Sequence, residues 1–165
     1  MRKQCMVLLV ENNSGVLARI SSLFMQRGFN IDSLTVSSTE NPKISRITIM
    51  TTGDQKTFSQ IMNQTGKLVE TKMIFSVEPS FSLIQELLLV KISTASIDIE
   101  TLKMIIARYG ATVLDITSGC LVAELAASSQ KIDDFLEAIS AFKMLEMCRS
   151  GAIAMERGDV LYDLN

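Results

Sequence analysis

The order of apolar and polar positions predicts two successive copies of one small α/β unit. From Met6 to Leu34 the chain reads strand, turn, helix, turn, strand. Val16, Leu17, Ile20, Leu23 and Phe24 recur at the i, i+3/i+4, i+7 spacing of a helix buried along one face. Phe29–Ser38 reads as a strand, Thr39–Lys43 as a turn, and Ile44–Thr52 as a strand with Ile47 and Ile49 on one face. Gly53-Asp54 ends that strand. Thr57–Leu68 reads as a helix showing Phe58, Ile61 and Met62 on one side, and Val69–Val77 as a fourth strand. The resulting β-α-β-β-α-β order is that of the ferredoxin-like split βαβ arrangement.

The second half repeats the order. Strands are predicted at Leu87–Ile92, Thr112–Thr117, Leu121–Leu125 and Met144–Arg149, with helices at Ile99–Tyr109 and Ile132–Ala141. A constant offset of 82 superposes the openings of the halves without a gap. Gly28 then falls on Gly110, Ile20 on Leu102, Leu23 on Ile105, Ile31 on Val113, Leu34 on Ile116 and Thr35 on Thr117. Agreement at core positions points to a duplicated fold, with convergence on one hydrophobic pattern as the plainer account. The expected class is therefore α+β with two ferredoxin-like βαββαβ units. Pro79 and the polar residues around it place the boundary between units 1-79 and 80-165.

Where the halves differ, chemistry enters. The first strand hands over to the first helix through Glu11-Asn12-Asn13-Ser14-Gly15. Ser14 is the expected N-cap, and Gly15 keeps the turn clear of a side chain where a ligand could approach the backbone. The N–H groups of Gly15, Val16 and Leu17, with the helix dipole behind them, suit a carboxylate or phosphate. The bland account is a capped helix after a tight turn. At the offset of 82, however, Asn12 meets Thr94, Gly15 meets Ile97 and Asn30 meets Thr112. The second copy keeps the core and lacks these polar residues. Asn30 opens the second strand, where strand formers serve better; its amide can donate and accept, which suits a zwitterion. Asparagine after a glycine-containing helix end is also an ordinary turn residue.

Composition narrows the function further. The chain has 165 residues, 47% hydrophobic and 21% charged, enough for a packed core in each of two small domains. Residues 1–79 carry 9 Lys/Arg and 6 Asp/Glu, and residues 80–165 carry 7 and 12, an asymmetry that supports two units. A net charge of −2 excludes general electrostatic attraction to nucleic acid. The apolar runs are too short to cross a bilayer, and the start of the chain does not read as a signal peptide, so a soluble cytoplasmic protein is expected. With no histidine and three widely spaced cysteines, a Cys–His nucleophile, a zinc site and a disulfide framework are all disfavoured. Cys5 and Cys148 sit in apolar runs and are expected to be buried. Asp133, Asp134 and Glu137 fall on a predicted helix as a solvated face. No catalytic or metal-binding residue is expected, and the sequence reads as a binder or regulator.

On these residues the first half resembles an ACT domain, the amino-acid-sensing form of the ferredoxin-like fold. The run Glu11-Asn12-Asn13-Ser14-Gly15-Val16-Leu17-Ala18-Arg19, followed by Gln26-Arg27-Gly28-Phe29-Asn30-Ile31-Asp32-Ser33-Leu34-Thr35-Val36, is similar to the regulatory (small) subunits of acetohydroxyacid synthase, also called acetolactate synthase. Similarity continues at Ser45–Ile49, Gln64 with Lys67–Val69, Glu86–Leu87 with Leu89–Lys91, and Arg149–Ala152 with Arg157-Gly158. The resemblance implies a non-catalytic partner of a catalytic large subunit, which would itself carry thiamine diphosphate, magnesium and FAD. This chain would bind no cofactor of its own. It would activate the large subunit and confer feedback inhibition by valine or another branched-chain amino acid. The effector would sit between two ACT domains of a homodimer. Asn12, Gly15, Val16 and Leu17 of one chain would face it, and Asn30 and Ile31 of the other would close the pocket. Two departures from the family pattern are Arg108-Tyr109-Gly110, where many members carry a Phe-Arg pair, and Gly66 late in the second helix.

Three other readings stay open at this stage. One is an ACT-type regulator with a different ligand and partner. Another is a ferredoxin-like RNA-binding module, to which 5% aromatic content is poorly suited. The third is a stand-alone enzyme using Asp, Glu, Lys or Arg.

Overall fold

The structure, a computed structural model, describes residues 2–95 and 98–159; Ile97, opposite Gly15 in the repeat, lies outside them. Contacts divide the chain into two units, one running to Ile84 and resuming at Ala152, the other spanning Gln85–Gly151. This division differs from the sequence-based limits 1-79 and 80-165: the first unit runs past residue 79 and takes in the described residues 152–159.

In the first unit β1 (Arg2–Glu11), α1 (Val16–Gln26), β2 (Ser33–Ser38), β3 (Ile44–Gly53), α2 (Gln55–Thr65) and β4 (Thr71–Val77) follow in order. The four strands form an antiparallel sheet in the order β2-β3-β1-β4. One face carries both helices. Met6, Leu8 and Val10 of β1 and Ile47 and Ile49 of β3 pack there against Val16, Ile20 and Phe24 of α1 and Phe58 and Ile61 of α2.

The opposite face is buried too. Cys5, Val7 and Leu9 are only 0–3% exposed. After a short turn at Pro79–Phe81, the chain enters β5 (Ser82–Ser93), with which β9 (Ile153–Glu156) pairs. Ala154 of β9 clusters with Cys5, Val7 and Val77. The Arg46 guanidinium donates to the Ala154 carbonyl at 2.6 Å, and the Ala152 N–H reaches Ser33 Oγ at 3.5 Å. A central strand covered on both faces reads as a continuous apolar run, which is why β1 lacks clean alternation. The four residues of β9 were not anticipated.

The second unit continues β5 and adds α3 (Ile99–Tyr109), β6 (Thr112–Ile116), β7 (Cys120–Ala127), α4 (Ser129–Ala138) and β8 (Met144–Arg149). Its path β6-β7-β5-β8 reproduces the first sheet strand for strand. Leu88, Val90 and Ile92 of β5 pack with Leu102 and Ile106 of α3 and Ile132 and Phe135 of α4. Gly28 and Gly110, matched by the offset, both take positive φ just after their helices, at 63° and 72°. Both units are ferredoxin-like βαββαβ folds, as expected.

Several local expectations are corrected. Gly15, not Ser14, is the N-cap residue of α1. Leu17 is 40% exposed, so the buried stripe of α1 is Val16, Ile20 and Phe24. β2 begins at Ser33 because Phe29 folds inward, its ring 6.1 Å from that of Phe24, and because side-chain hydrogen bonds hold the segment between. α2 ends at Thr65, so Gly66 caps the helix rather than interrupting it. Cys148 lies exposed on edge strand β8, whereas Cys5 is buried as expected.

Candidate functional site

The turn into α1 differs from the starts of the other three α-helices, α2, α3 and α4. Asp54 accepts from the Thr57 N–H to cap α2, Asp98 accepts from Glu100 and Thr101 at α3, and Ser128 accepts from Lys131 at α4. α1 has no side-chain cap. Its first turn holds only a long 3.5 Å contact from the Val16 N–H to the Asn13 carbonyl, and the Arg19 N–H then reaches the Gly15 carbonyl at 3.1 Å. Gly15 takes φ +87° at the N-cap, and nothing lies within 4 Å of where its β-carbon would stand. The positive end of the α1 dipole therefore opens to solvent through a turn without side-chain cover.

Asn12 anchors this turn to the β2–β3 loop. Its N–H donates to the Lys43 carbonyl at 2.8 Å and its Nδ2 to the Pro42 carbonyl at 3.0 Å. Thr94, the matching residue of the second unit, makes the same pair of bonds, from N–H to the Gly119 carbonyl and from Oγ1 to the Ser118 carbonyl, each 3.0 Å. A threonine thus suffices for the anchoring, and what asparagine adds is an amide oxygen at the mouth of the turn.

Charges around the turn are balanced locally. Glu11 Oε1 pairs with Lys72 and its Oε2 accepts from Asn13 Nδ2; Glu70 pairs with Arg19. Both carboxylates are thereby offset by a cation, which reduces the negative field at the turn.

Asn30 and Ile31 lie elsewhere. Asn30 is exposed, and Ile31 packs partly against the core. Asn30 Nδ2 donates to Asp32 Oδ1 at 3.2 Å, and its carbonyl accepts from Thr51 Oγ1 at 2.7 Å. Register fixes the separation from the turn. Ser33 pairs with Met50 and Met50 with Cys5, whereas Glu11 pairs with Ile44 at the far end of β1. The six-residue step from Cys5 to Glu11 spans about 20 Å. One chain therefore brings Asn12, Gly15, Val16 and Leu17 together and holds Asn30 and Ile31 at the other end of the sheet.

Two cavities within single units contain none of these six residues. One, of about 250 Å³, lies on the second sheet by Leu89, Lys91, Val122, Glu146 and Cys148. The other, of about 150 Å³, lies by Lys3, Gln4, Gln55 and Phe58 of the first unit. Among the described residues no group of three or more His, Cys, Asp or Glu could hold a metal ion, and no helix is long and apolar enough to cross a membrane. Sequence reasoning missed Asp32, Thr51 and Thr52 behind Asn30. The Asn-x-Asp spacing was a visible signal, but the threonines reach Asn30 and Asp32 only through strand pairing.

The fold and the open helix terminus define an ACT domain followed by a second ferredoxin-like unit. Comparison with known proteins gives the family. Residues 6–72 match the AHAS small subunit-like ACT domain, and residues 85–158 match the domain described as small subunit of acetolactate synthase. The chain is 37% identical over 158 residues to the acetolactate synthase isozyme 3 small subunit of Escherichia coli, covering 95% of this chain and 97% of that one. It is 37% identical over 154 residues to a probable acetolactate synthase small subunit of Methanothermobacter thermautotrophicus, covering 91% and 90%. The crystal structure of the acetolactate synthase small subunit from Thermotoga maritima superposes with a TM-score of 0.89 at 30% identity, covering 97% of this chain and all of that one. The chain belongs to the acetolactate synthase small subunit family.

Proposed function

We propose that this chain is the non-catalytic regulatory subunit that activates an acetolactate synthase large subunit in the cytoplasm and makes it responsive to valine. Thiamine diphosphate, magnesium and FAD belong in this reading to the large subunit, which carries the chemistry. This chain supplies the sensor. The observation that carries the reading is the uncapped start of α1, where N–H groups, a positive φ at Gly15 and the amide of Asn12 converge on space for a carboxylate.

The 20 Å between that turn and Asn30 gives the site its regulatory logic. Two copies related by a two-fold axis bring the α1 turn of one chain to Asn30 and Ile31 of the other, so the ligand contacts both. Valine then binds with an affinity that depends on how the two ACT domains sit. Inhibition follows if the arrangement it favours differs from the one that activates the large subunit.

The test is acetolactate formation by the large subunit with and without this protein, across a valine titration. Activation that valine reverses, and that Asn30→His renders insensitive, supports the reading. Activation without valine response refutes the ligand, and no activation refutes the partner.

A further inference from the structure

The bonds behind Asn30 do more than tether a loop. Its Nδ2 donates to Asp32 Oδ1 at 3.2 Å, while Asp32 Oδ2 accepts from Thr52 Oγ1 and the Asp32 N–H donates to the Met50 carbonyl, at 2.7 and 2.9 Å. The Asn30 carbonyl is held at 2.7 Å by Thr51 Oγ1, and Thr51 is fully buried in β3. The opposite orientation of the Asn30 amide would turn its oxygen toward a carboxylate, so one orientation is strongly preferred. We infer that Asp32 and Thr51 are positioning residues that fix Asn30 with its amide nitrogen turned toward Asp32 and its Oδ1 presented as an acceptor for the ammonium group of the effector.

Asn12 shows the same polarity: its Nδ2 is used by the Pro42 carbonyl, leaving Oδ1. The site then offers N–H donors at the α1 turn for a carboxylate and two amide oxygens for a group with only donors. An α-amino acid satisfies both ends. The 2-oxo acid of the same carbon skeleton places an acceptor against these oxygens and is rejected, because a polar site tolerates poorly an analogue that leaves its groups unmatched. This inference rests on the two-chain effector site proposed above, and it assigns that site a polarity and two supporting residues.

The experiment uses the small subunit with its large subunit, reading valine inhibition, together with calorimetry of valine on the small subunit. Asp32→Ala and Thr51→Val are expected to weaken valine about tenfold, the loss of one hydrogen bond's worth of positioning. Asp32→Asn still accepts from Asn30 Nδ2, and Thr51→Ser keeps the hydroxyl, so both should stay within about threefold of the parent. Activation without valine is expected to be unchanged in all four. The exposed Asp32 pair keeps the test intact if Thr51→Val fails to fold. In the parent complex, 3-methyl-2-oxobutanoate should neither inhibit nor compete with valine.

Equal weakening by Asp32→Ala and Asp32→Asn, fading with added salt, would show that Asp32 acts through its charge and would overturn the inference. Unchanged valine response in all four variants would overturn it while leaving the effector site standing. A parent complex insensitive to valine would overturn the site and this inference together.

Discussion

Gly15→Asp separates the chemistry of the α1 turn from its architecture. In the folded chain a β-carbon at Gly15 meets nothing within 4 Å, so bulk alone costs little. The φ of +87° does cost, about 1 kcal/mol for aspartate or asparagine, which visit the left-handed region more readily than other residues. For a chain of this size that lowers Tm by about 2–4 °C. The comparison variant is therefore Gly15→Asn, equal in shape and backbone strain and without the charge. Two like charges about 4 Å apart repel by about 4 kcal/mol at an effective dielectric of 20, which solvent at this exposed turn reduces to about 2–3 kcal/mol. Valine affinity of the aspartate variant should accordingly fall about 30- to 150-fold below that of the asparagine variant. The two melting temperatures should agree within about 2 °C. Calorimetric titration of each purified variant with valine, with thermal melts in the same buffer, reads both quantities. Equal affinities in the pair would refute the assignment of the ligand carboxylate to the α1 turn, whatever valine does elsewhere.

Three further outcomes follow from the packing. Gly53→Ala would place a β-carbon 2.8 Å from the Phe29 ring, so it should destabilise the first unit by about 1–3 kcal/mol in chemical denaturation; unchanged stability would mean that Phe29 repacks freely. Burial pushes the Cys5 thiol from its ordinary value of 9.0 up to about 11, against the weaker pull of Arg46. The protonated thiol is thus favoured by the fold: its contribution is intact below pH 9 and is lost as pH rises toward 11, at about 1.4 kcal/mol per unit. Cys5→Ala should flatten the stability profile over that window, and an unaltered slope would contradict the burial. In the second unit Arg149 bridges Glu86 at 2.6 Å and Asp133 at 2.7 Å, and Glu86, which also accepts from Ser129 Oγ, is only 7% exposed. Arg149→Met leaves that carboxylate without its cation and should cost about 3–5 kcal/mol, much of it recovered by adding Glu86→Gln; a melt indistinguishable from the parent would refute the role.

Local order accounts for most of what could be read in advance. The stripes of α1 through α4 and the strand runs are short-range patterns, set by which side chains must leave water, and they made both ferredoxin-like units legible together with their repetition. The turn at Asn12–Gly15 was legible for a related reason: its residues are contiguous, and the second copy served as an internal control for what the fold alone requires. The cap was misplaced by one residue because a positive φ at Gly15 depends on how β1 delivers the chain into α1, not on the capping propensity of Ser14. β9 is silent in the sequence because four residues, one of them the small Ala154, carry almost no periodic signal. Their place is decided by a sheet face whose residues are distant in sequence, with Arg46 reaching Ala154 and Ser33 reaching Ala152.

For the same reason β9 groups by contacts with the first unit, although it follows the second in sequence. The sequence by itself determined the two βαββαβ units, the family, and the identity of the polar residues at the first turn, all of them encoded within windows of a few dozen residues. Only the tertiary structure decided that those residues stand some 20 Å from Asn30 along the sheet, because strand register converts sequence distance into length. It also decided which way the Asn30 amide turns, since Thr51 and Thr52 come to that segment through the pairing of β3 with β2 and β1.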